Sequence, residues 1–503
     1  MADISNSVGR QIGVLAGRNG NISHVIVGDA KGIFIPDLTG HPLGRKVLRG
    51  LRLIHTHLNN EKINQDDITD LSLLRFDALV AIGMKNGEAD NISVAHLYSS
   101  REETSHEING PLPLHGMDRA LGDFDHFITL IEDGLTSKRA GYDIKDKRER
   151  ALLVSVSTKS KYEQEDSMEE LKELAISSNV VVLGTVLQRP RQINPKYLIG
   201  AGKMRELVIN AMNKGATVLI FDQDLNPSQS KAVSDMTELK VIDRSQLILD
   251  IFAGRAHSRD GKVQVELALL RYRLPRLTGK GTAMSRLMGG IGGKGPGEMK
   301  LEVDRRRVRD RITLLEKQLK SLGRAREQRK ARRVSEGLPI ISIIGYTNAG
   351  KSTLLNNLTR SQTFVEDKMF ATLDTASRRL RFPKERDVII TDTVGFIRDL
   401  PKDLFAAFKA TLEELEDADL LLHLVDISNP RFEQQIKSVE KILSDLDLSD
   451  KLTLLAFNKA DLVDKESTEA VCKRFDAVSL SAKDQKACKG LIRAIEQKLW
   501  PLK

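Results

Sequence analysis

The sequence predicts a multidomain α/β protein, and three observations support that prediction. Its 503 residues are enough for three or four domains of roughly 150 residues each. Between Ala151 and Ala253, short apolar runs alternate with amphipathic segments, which is typical of strands and helices around a parallel sheet. Near Gly345, an apolar run leads into a glycine-rich turn and then a helix-forming segment, the order that a phosphate-binding loop requires.

Bulk composition limits the classes of protein to which this chain can belong. Hydrophobic residues make up 40% of it and aromatic residues 4%, which is typical of a soluble protein with aliphatic cores. No apolar run approaches the roughly 18 residues that a membrane span needs, and the N-terminus lacks the features of a signal peptide. The two cysteines, Cys472 and Cys488, fit a reducing compartment. We therefore expect a cytoplasmic protein without a membrane span, and we expect it to be a monomer.

The order of sequence patterns divides the chain into five expected segments. They are an N-terminal α/β extension at 1–135, a charge-rich linker at 136–148, an α/β domain with a parallel sheet at 149–255, a basic helical arm at 256–336 and a nucleotide-binding domain at 337–503. Each segment has its own hydrophobic period or charge balance, so we expect it to fold as a separate structural element.

Local features of the 149–255 domain lead to three specific expectations. A Ser-x-x-Glu capping box at Ser167 predicts a helix over 167–174. The apolar run at 180–183 predicts a buried strand. The glycines at 200–203 superficially resemble a phosphate loop, but they lack the full spacing of either nucleotide fingerprint, so we interpret this segment as a helix entry.

Positive charge is concentrated in one part of the chain. From Arg255 to Arg333 there are 23 Lys and Arg against 8 Asp and Glu, a balance of +15, whereas the whole chain carries +9 and the remainder therefore −6. The segments 263–272 and 302–332 have helical periodicity, and the glycine-rich segment 278–297 between them disfavours regular structure. We expect an antiparallel helical arm that binds a polyanion. The alternative is a solvated coiled coil whose charges only maintain solubility.

The glycine-rich turn has the spacing of a P-loop. Its backbone N–H groups are expected to surround the phosphates, Lys351 to neutralise the β- and γ-phosphate oxygens, and the Ser352 hydroxyl to bind Mg²⁺. The predicted phosphate-binding residues are Gly345, Tyr346, Thr347, Asn348, Ala349, Gly350, Lys351, Ser352 and Thr353.

Three further motifs follow the P-loop, each after an apolar strand-like run. In the first, which comprises Asp392, Thr393, Val394 and Gly395, the carboxylate is expected to hold a metal-bound water and the glycine N–H to meet the γ-phosphate. Asp461 can accept hydrogen bonds from N1–H and the exocyclic amine of guanine, a pair that adenine lacks. Four motifs in this order over 139 residues predict a GTPase with a Ras-like P-loop domain. The predicted guanine-binding residues are Asn458, Lys459, Asp461, Ser481, Ala482 and Lys483.

Further signatures point to a family. They lie at 197–203, 241–252, 274–279, 295–298, 304–307, 370–374 and 391–401. From about Arg148 to the C-terminus, roughly 350 residues, the chain resembles HflX, the ribosome-associated GTPase of the Obg–HflX group. The resemblance implies binding to the large ribosomal subunit and its rRNA, and GTP-dependent dissociation of stalled or idle ribosomes, often under stress.

The same resemblance implies a switch I segment that orders when GTP is bound. Thr372 is the threonine of this segment, and we expect the γ-phosphate to bring it to Mg²⁺ beside Ser352. At the arm, we expect rRNA contacts from Arg286 and Lys294 at the tip and from Arg305, Arg306 and Arg307 on the helix. The switch I residues are Phe370, Ala371, Thr372, Leu373 and Asp374.

Two residues near the phosphates indicate how hydrolysis is controlled. Phe396 follows Gly395, at the place where Ras-like enzymes carry the glutamine that orients water, and a phenyl ring cannot do this. We therefore expect slow intrinsic hydrolysis that the ribosome stimulates. Asn348 resembles the asparagine with which some GTPases bind K⁺ against the phosphates, and the alternative is an asparagine selected for turn geometry.

One motif of the N-terminal extension is unrelated to GTP. His55 and His57 are two residues apart in a predicted strand, so both imidazoles can face one metal ion, and Asp67 follows. With the surrounding strand–helix–strand order, this segment resembles the MPN/JAMM fold, whose zinc site uses His-x-His and a later Asp. The spacing to Asp67 is one residue short of that pattern, and Leu58 replaces the usual proline. We favour a metal-free scaffold.

Three classes of function therefore remain. The leading hypothesis is an enzyme that splits ribosomes. The second is a binding module that uses GTP as a conformational clamp without productive turnover. Phe396 suggests it, because a phenyl ring cannot orient the attacking water. The third is a bifunctional protein with a metallohydrolase at its N-terminus.

Overall fold

The predicted multidomain α/β fold is confirmed. Two compact units divide the chain, one formed by Met1–Glu165 and Val180–Ile242, the other by Asp166–Asn179 and Asp243–Lys503. The computed structural model describes residues 1–36, 38, 40–43, 46–99, 104–114, 123–139, 148–277, 296–335, 338–359, 376–382, 386–393, 395–397, 415–484 and 488–500.

The first unit begins with a mixed six-stranded sheet. Its strands are β1 (Ile12–Gly17), β2 (Ile22–Val27), β3 (Leu51–His57), β4 (Ala78–Lys85), β5 (Glu88–Ser99) and β6 (Thr104–Pro113). The helices described beside them are α1 (Ala2–Val8), α2 (Gln65–Leu74) and α3 (Phe124–Arg139). The strand order is β2-β1-β3-β4-β5-β6, and β3 and β4 are parallel because α2 connects them.

The first unit also contains a four-stranded sheet with the order β10-β9-β7-β8. The strands are β7 (Arg150–Val156), β8 (Val181–Gln188), β9 (Val218–Phe221) and β10 (Lys240–Asp243). Helix α4 (Lys161–Ser177) follows β7, and its residues from Asp166 onward belong to the second unit; the helices α5 (Ala201–Asn213) and α6 (Pro227–Ser234) belong to the first. As predicted from the alternating pattern, β7 is parallel to β8 and to β9. Gly200 is the N-cap of α5, so the segment 200–203 is a helix entry.

Two expectations for this part of the chain were wrong in detail. The capping box lies at Ser160, whose hydroxyl accepts from the Glu163 N–H at 3.2 Å while the Glu163 carboxylate accepts from the Ser160 N–H at 3.1 Å. The helix therefore begins at Lys161, six residues before Ser167, because the Ser-x-x-Glu pattern occurs twice and the earlier copy is the cap. The predicted buried strand at 180–183 is the start of β8, an edge strand that is mostly half-buried.

The second unit contains a helical hairpin. Its helices are α8 (Arg259–Arg273), which follows α7 (Arg244–Arg255), and α9 (Pro296–Ser335). An apolar seam of Val263, Leu267 and Leu315 joins α8 to α9. Arg305, near the start of α9, donates to the Leu277 carbonyl just beyond the end of α8, whereas Leu315, farther along α9, packs with Val263 and Leu267, nearer the start of α8. The two helices are therefore antiparallel, and the ion pairs Arg271–Glu316 and Arg311–Glu266 also join them.

A second six-stranded sheet completes this unit, with the order β12-β13-β11-β14-β15-β16. Its strands are β11 (Ile340–Ile344), β12 (Ala376–Arg381), β13 (Asp387–Asp392), β14 (Leu420–Asp426), β15 (Thr453–Asn458) and β16 (Val478–Ser479). Its helices are α10 (Lys351–Thr359), α11 (Phe432–Asp445), α12 (Lys465–Phe475) and α13 (Cys488–Leu499). All strands except β12 are parallel, so their carboxyl ends meet at one edge. Within the described ranges, every helix is too short or too polar to cross a membrane.

Candidate nucleotide-binding site

The loop between β11 and α10 has the backbone of a phosphate-binding loop. Gly345 has φ +147°, and a Cβ on it would stand far inside contact distance of the Leu424 carbonyl oxygen. Asn348 and Gly350 have φ values of 63° and 90°, so the chain turns sharply and its N–H groups can face one anion. Lys351, Ser352 and Thr353 then form the first turn of α10, whose N-terminus adds a favourable dipole.

Lys351 is held at the centre of this loop. Its ammonium donates to the Gly345 carbonyl at 3.1 Å and to the Tyr346 carbonyl at 2.8 Å. Burial lowers the pKa of Lys351 to about 8, because a cation out of water is disfavoured. His423, on the neighbouring strand β14, has a pKa of about 3 through its own burial and the adjacent Lys351 charge, so its imidazole is neutral. The site thus keeps one cationic group where phosphate oxygens would bind.

Ser352 and Asp392 provide the oxygen atoms for a divalent cation. The Ser352 hydroxyl donates to Asp392 Oδ2 at 2.6 Å, and Asp392 ends β13 directly beside Ile343 of β11. Thr393 turns its hydroxyl away, to the Ile343 carbonyl at 2.6 Å. A hydroxyl and a carboxylate in contact at the phosphate end of the loop are the hard oxygen ligands that Mg²⁺ prefers. These residues therefore fit the Mg²⁺ that P-loop GTPases use.

Gly395 and Phe396 lie against the phosphate loop. A Cβ at Gly395 would stand 2.8 Å from Thr347 Cγ2 and 2.9 Å from Lys351 Nζ, so the close approach requires glycine. The Phe396 N–H donates to the Gly345 carbonyl at 3.0 Å and the Thr347 N–H donates to the Phe396 carbonyl at 2.8 Å. Because the Phe396 side chain is only 3% exposed, this position contributes packing and no group that contacts water.

The predicted guanine-binding residues converge on the same edge of the sheet. The Asn458 amide donates to the Ala349 carbonyl at 2.7 Å and its oxygen accepts from the Ala482 N–H at 2.8 Å, which joins three motifs. Lys459 binds Asp426 at 2.6 Å. Asp461 is exposed in the 3-10 helix Ala460–Leu462, and Ser481 and Lys483 flank Ala482 in the following loop.

Asp426 is a residue that motif reasoning missed. It ends β14, and its carboxylate orients the Lys459 side chain within the Asn-Lys-x-Asp motif. A signal was present in the sequence, because Asp426 follows an apolar run that His423 alone interrupts, and polar residues after a central parallel strand lie at the ligand edge.

Helix α4 contributes carboxylates beside the phosphate loop, a second feature that sequence reasoning missed. Within the second unit, a cavity of about 150 Å³ is lined on one side by Asp166, Glu169, Glu170 and Glu173. Its other side includes the Tyr346, Thr347 and Asn348 segment of the loop. The Tyr346 hydroxyl donates to Glu170 at 3.1 Å, Arg244 binds the same carboxylate at 2.7 Å, and Arg431 forms an ion pair with Asp166. Because these residues are far apart in the sequence, no local sequence pattern could have predicted the contacts between them.

Several predicted site residues lie outside the described residues: Phe370, Ala371, Thr372, Leu373 and Asp374 of switch I, Val394 of the Asp392–Gly395 motif, which is switch II, and Arg286 and Lys294 of the arm tip. The other arm candidates differ from one another. The Arg305 guanidinium donates to the Leu277 carbonyl at 3.1 and 2.6 Å, so it connects α9 to the segment that follows α8. Arg306 and Arg307 are exposed on α9, and Arg307 approaches Asp304 at 3.6 Å.

The structure brings the three residues of the N-terminal motif together. His55, His57 and Asp67 are all buried, and their ligand atoms lie within 4.8 Å of one another. Burial and the neighbouring His57 lower the pKa of His55 to about 3, so its imidazole is neutral. Burial raises the pKa of Asp67. The sequence spacing predicted a shared face for the histidines, and the tertiary structure adds the carboxylate.

We expect nucleotide affinity to depend on the protonation of Lys351. Its pKa of about 8 means that the nucleotide-free protein loses this charge as the pH rises above that value. Bound phosphates favour the ammonium form, so GDP affinity should decrease by up to about tenfold per pH unit above about pH 8 and stay level below it. Titration of a fluorescent GDP analogue between about pH 7 and about pH 9.5 measures this dependence.

Lys351→Met is the control for that titration. It should bind GDP more weakly at every pH and lose the dependence above about pH 8. The same slope in this variant and the unchanged protein would assign the titration to another group.

Three family models match consecutive parts of the chain. Residues 165–253 match a family described as GTP-binding GTPase N-terminal, and residues 255–333 match its GTP-binding GTPase Middle Region. Residues 340–459 match a family described as 50S ribosome-binding GTPase. In order along the chain, the three matches cover most of α4 with the strands and helices from β8 to α7, then the helical hairpin, and then most of the P-loop domain.

Curated relatives extend over the same region. A protein named GTPase HflX from Caldanaerobacter subterraneus is 48% identical over 353 residues, which cover 70% of this chain and 81% of the relative. GTPase HflX from Escherichia coli is 42% identical over 323 residues, covering 64% of this chain and 76% of the relative. A crystal structure titled SsGBP and GDP complex is similar at 24% identity and a TM-score of 0.40, covering 69% of this chain and 98% of that one.

Proposed function

Because this chain belongs to the HflX family of GTPases, we propose that it binds the large ribosomal subunit and dissociates stalled or idle ribosomes, under stress, with GTP controlling the cycle. The observation that carries the ribosomal part of this proposal is the charge of the helical hairpin. Its segment of the sequence has a balance of +15, against −6 for the remainder of the chain. A ribosomal subunit presents a dense array of RNA phosphates, which such a segment can bind without reading sequence.

The hairpin is built to present these charges. Its apolar seam, which includes Val263, Leu267 and Leu315, lies between the helices and holds them together. Arg306, Arg307 and Arg309 remain exposed on α9. Guanidinium groups on a preformed scaffold lose little conformational entropy on binding, so phosphate contacts of this kind add directly to affinity.

The phosphate loop supports a GTP-dependent switch. Lys351 and the loop N–H groups bind the β- and γ-phosphates, and Ser352, with Asp392 behind it, holds the Mg²⁺ that neutralises those phosphates when it is bound. Thr372 of switch I, outside the described residues, is the proposed second ligand. Segments that depend on the γ-phosphate are released after hydrolysis, which couples nucleotide state to ribosome affinity.

Catalysis requires help from outside the chain in this proposal. Phe396 is buried and its backbone is bonded to the phosphate loop, so the position that orients water in Ras-like enzymes offers no polar group. K⁺ at Asn348 is the proposed substitute for a cationic side chain. In support, Asn348 has a left-handed backbone conformation and lines the cavity whose other wall carries four carboxylates.

Single-turnover GTP hydrolysis tests this function. The rate should be low for the protein alone in Na⁺, rise in K⁺ at matched ionic strength, and rise further with purified large subunits. Co-sedimentation with subunits should be stronger with a GTP analogue than with GDP, and intact ribosomes should separate into subunits in the same conditions.

Each outcome separates the hypotheses. Nucleotide-dependent co-sedimentation without stimulated hydrolysis would favour the clamp that Phe396 permits. Equal hydrolysis rates in Na⁺ and K⁺ would contradict the proposed K⁺ site at Asn348 without affecting the proposal that the protein acts on ribosomes. If co-sedimentation were equally strong with the GTP analogue and with GDP, and the ribosomes did not separate into subunits, the proposed splitting function would be contradicted.

A further inference from the structure

A polar network in the second unit connects the helical hairpin to the phosphate loop. At its centre lies Glu170 of α4, whose side chain is only 13% exposed. One of its carboxylate oxygens accepts from the Tyr346 hydroxyl at 3.1 Å, and the other pairs with Arg244 at 2.7 Å. Glu170 therefore joins the phosphate loop to the first residue of α7. The network consists of Tyr346, Glu170, Arg244, Asp243, Tyr272 and Arg276.

The polar network continues from α7 to the end of α8. Asp243, directly before Arg244, caps α7 by accepting from the Gln246 N–H at 2.9 Å. The same buried carboxylate accepts from the Tyr272 hydroxyl and lies 3.7 Å from the Arg276 guanidinium. That guanidinium also lies over the Tyr272 ring, 3.6 Å from its centroid. Because the N-cap is bonded to the first turn of α7, a displacement of Asp243 also moves Arg244.

The outer end of the polar network meets the arginines of α9. Arg276 ends a short 3-10 helix, and the carbonyl of the next residue, Leu277, accepts from the Arg305 guanidinium at 2.6 Å. Arg305 is followed by the exposed Arg306 and Arg307, which are proposed above to bind RNA phosphates. A shift of α9 on RNA therefore reaches Leu277 and Arg276 through a direct hydrogen bond.

The inner end of the polar network determines where Lys351 lies. The Tyr346 carbonyl accepts from the Lys351 ammonium at 2.8 Å, and Tyr346 forms an isolated β-bridge with Phe396. The bond between Glu170 and the Tyr346 hydroxyl therefore also restrains the carbonyl that orients Lys351. A misplacement of about 1 Å at a catalytic group can reduce a rate by about 100-fold, so a small movement of Tyr346 has a large effect.

We propose that Glu170 is a positioning residue that transmits RNA contact on α9 to the phosphate loop. This inference rests on the proposed function, because it takes ribosomal RNA as the ligand of the arm. Phosphates that bind the α9 arginines displace Leu277 and, through Arg276, Asp243. Glu170 follows Arg244, since a buried charge that loses its partner is costly, and the Tyr346 hydroxyl follows Glu170. The geometry of Lys351 then changes with the position of the arm.

Removing one hydroxyl from each end of the polar network tests this inference in the full-length protein without ribosomes. Tyr346→Phe breaks the bond with Glu170, and Tyr272→Phe breaks the bond with Asp243, while both variants keep the ring. Each should increase the dissociation rate of a fluorescent GDP analogue by about three- to tenfold, the usual effect of losing one hydrogen bond. The double variant should dissociate no faster than the faster single variant, because either change already interrupts the network.

Two further variants support this comparison. Tyr162→Phe is the matched control, because Tyr162 lies on α4 and is 57% exposed, and it should leave GDP dissociation unchanged. Arg276→Gln removes the ion pair with Asp243 and interrupts the network a second way at the same end. Combined with Tyr346→Phe, it should add nothing to the effect of that variant.

Independent sites have additive effects on the free energy, so their effects on a rate multiply. Effects that multiply in both double variants, when circular dichroism shows that all proteins are folded, would overturn the proposal. A GDP dissociation rate that Tyr346→Phe leaves unchanged would also overturn it.

Purified large subunits provide the second measurement. Tyr346→Phe should co-sediment with subunits as the unchanged protein does, because α9 is intact, whereas the stimulation of GTP hydrolysis should decrease by at least about fivefold. Equal stimulation in the two proteins would contradict a role of Glu170 in transmission. If the unchanged protein does not bind subunits, the RNA part of the inference fails with the proposed function. Effects on GDP dissociation that do not multiply would then still support the connection between the arm and the phosphate loop.

Discussion

Replacing Asp461 by asparagine should change the nucleotide preference of this GTPase from GTP to xanthosine triphosphate. We expect the Asp461 carboxylate to accept from N1–H and the exocyclic amine of guanine, whereas an amide can donate to the carbonyl that xanthine has in place of that amine. Leaving charged or polar partners unpaired costs about 3 kcal/mol, so GTP affinity should decrease by roughly 100-fold. Competition between the two nucleotides for a fluorescent GDP analogue measures the change.

Asp464→Asn is the matched control for this experiment. Asp464 is three residues along the chain and caps α12, accepting from the Ser467 N–H at 2.8 Å, a bond that asparagine can keep. The control should retain the preference for GTP. If Asp461→Asn also bound GTP with unchanged affinity, the 3-10 helix Ala460–Leu462 would not contact the base.

Replacing residues 289–297 at the tip of the arm by a short Gly-Ser turn should abolish ribosome-stimulated hydrolysis and subunit splitting. A glycine-rich tip is slim enough to enter between RNA helices, where a bulkier loop would collide. GDP affinity should be unchanged, because the phosphate loop between β11 and α10 belongs to a different part of the fold. Hydrolysis with and without large subunits measures the first effect, and ribosome profiles on sucrose gradients measure the second.

Charge-neutralising variants distinguish the contribution of the α9 arginines to subunit binding from that of the tip at 289–297. Replacing the exposed Arg306 and Arg307 by glutamine should weaken subunit binding and reduce its salt dependence, by about 0.7–0.9 log units of slope for each phosphate that the variant no longer neutralises. Arg305→Gln is the comparison, because that guanidinium is already bonded to the Leu277 carbonyl, and it should leave the salt slope unchanged. Full splitting activity after replacement of residues 289–297 would refute the idea that the tip of the arm enters between RNA helices.

The chemistry of the nucleotide site could be predicted from sequence because its determinants are local. A phosphate loop is a backbone conformation, and Gly345, Asn348 and Gly350 have the positive φ angles that it needs. The Asn458 and Ala482 motifs follow parallel strands whose carboxyl ends meet at one edge, so their order along the chain implied their convergence. The helical hairpin was predictable for a related reason, since its period and its charge are visible in any short window.

Local patterns failed where two positions satisfied the same rule. Ser160 and Ser167 both begin a Ser-x-x-Glu box, and only the first is the helix cap. The apolar run that became β8 looked like a central strand, but its place at the edge of the sheet leaves it half-buried. Burial depends on which neighbours the strand acquires, and that information is not in its own residues.

Charge, periodicity and motif spacing by themselves determined the GTPase class and the multidomain α/β fold, and they predicted the order of the domains and the residues around GTP. Only the tertiary structure decided which distant groups meet. It set Glu170 against Tyr346, 176 residues away in the chain, joined Lys459 to Asp426, and brought Asp67 to the two histidines of β3. The physical reason is that backbone conformation follows short-range steric and hydrogen-bonding rules, whereas the approach of side chains on separate elements depends on how whole elements pack.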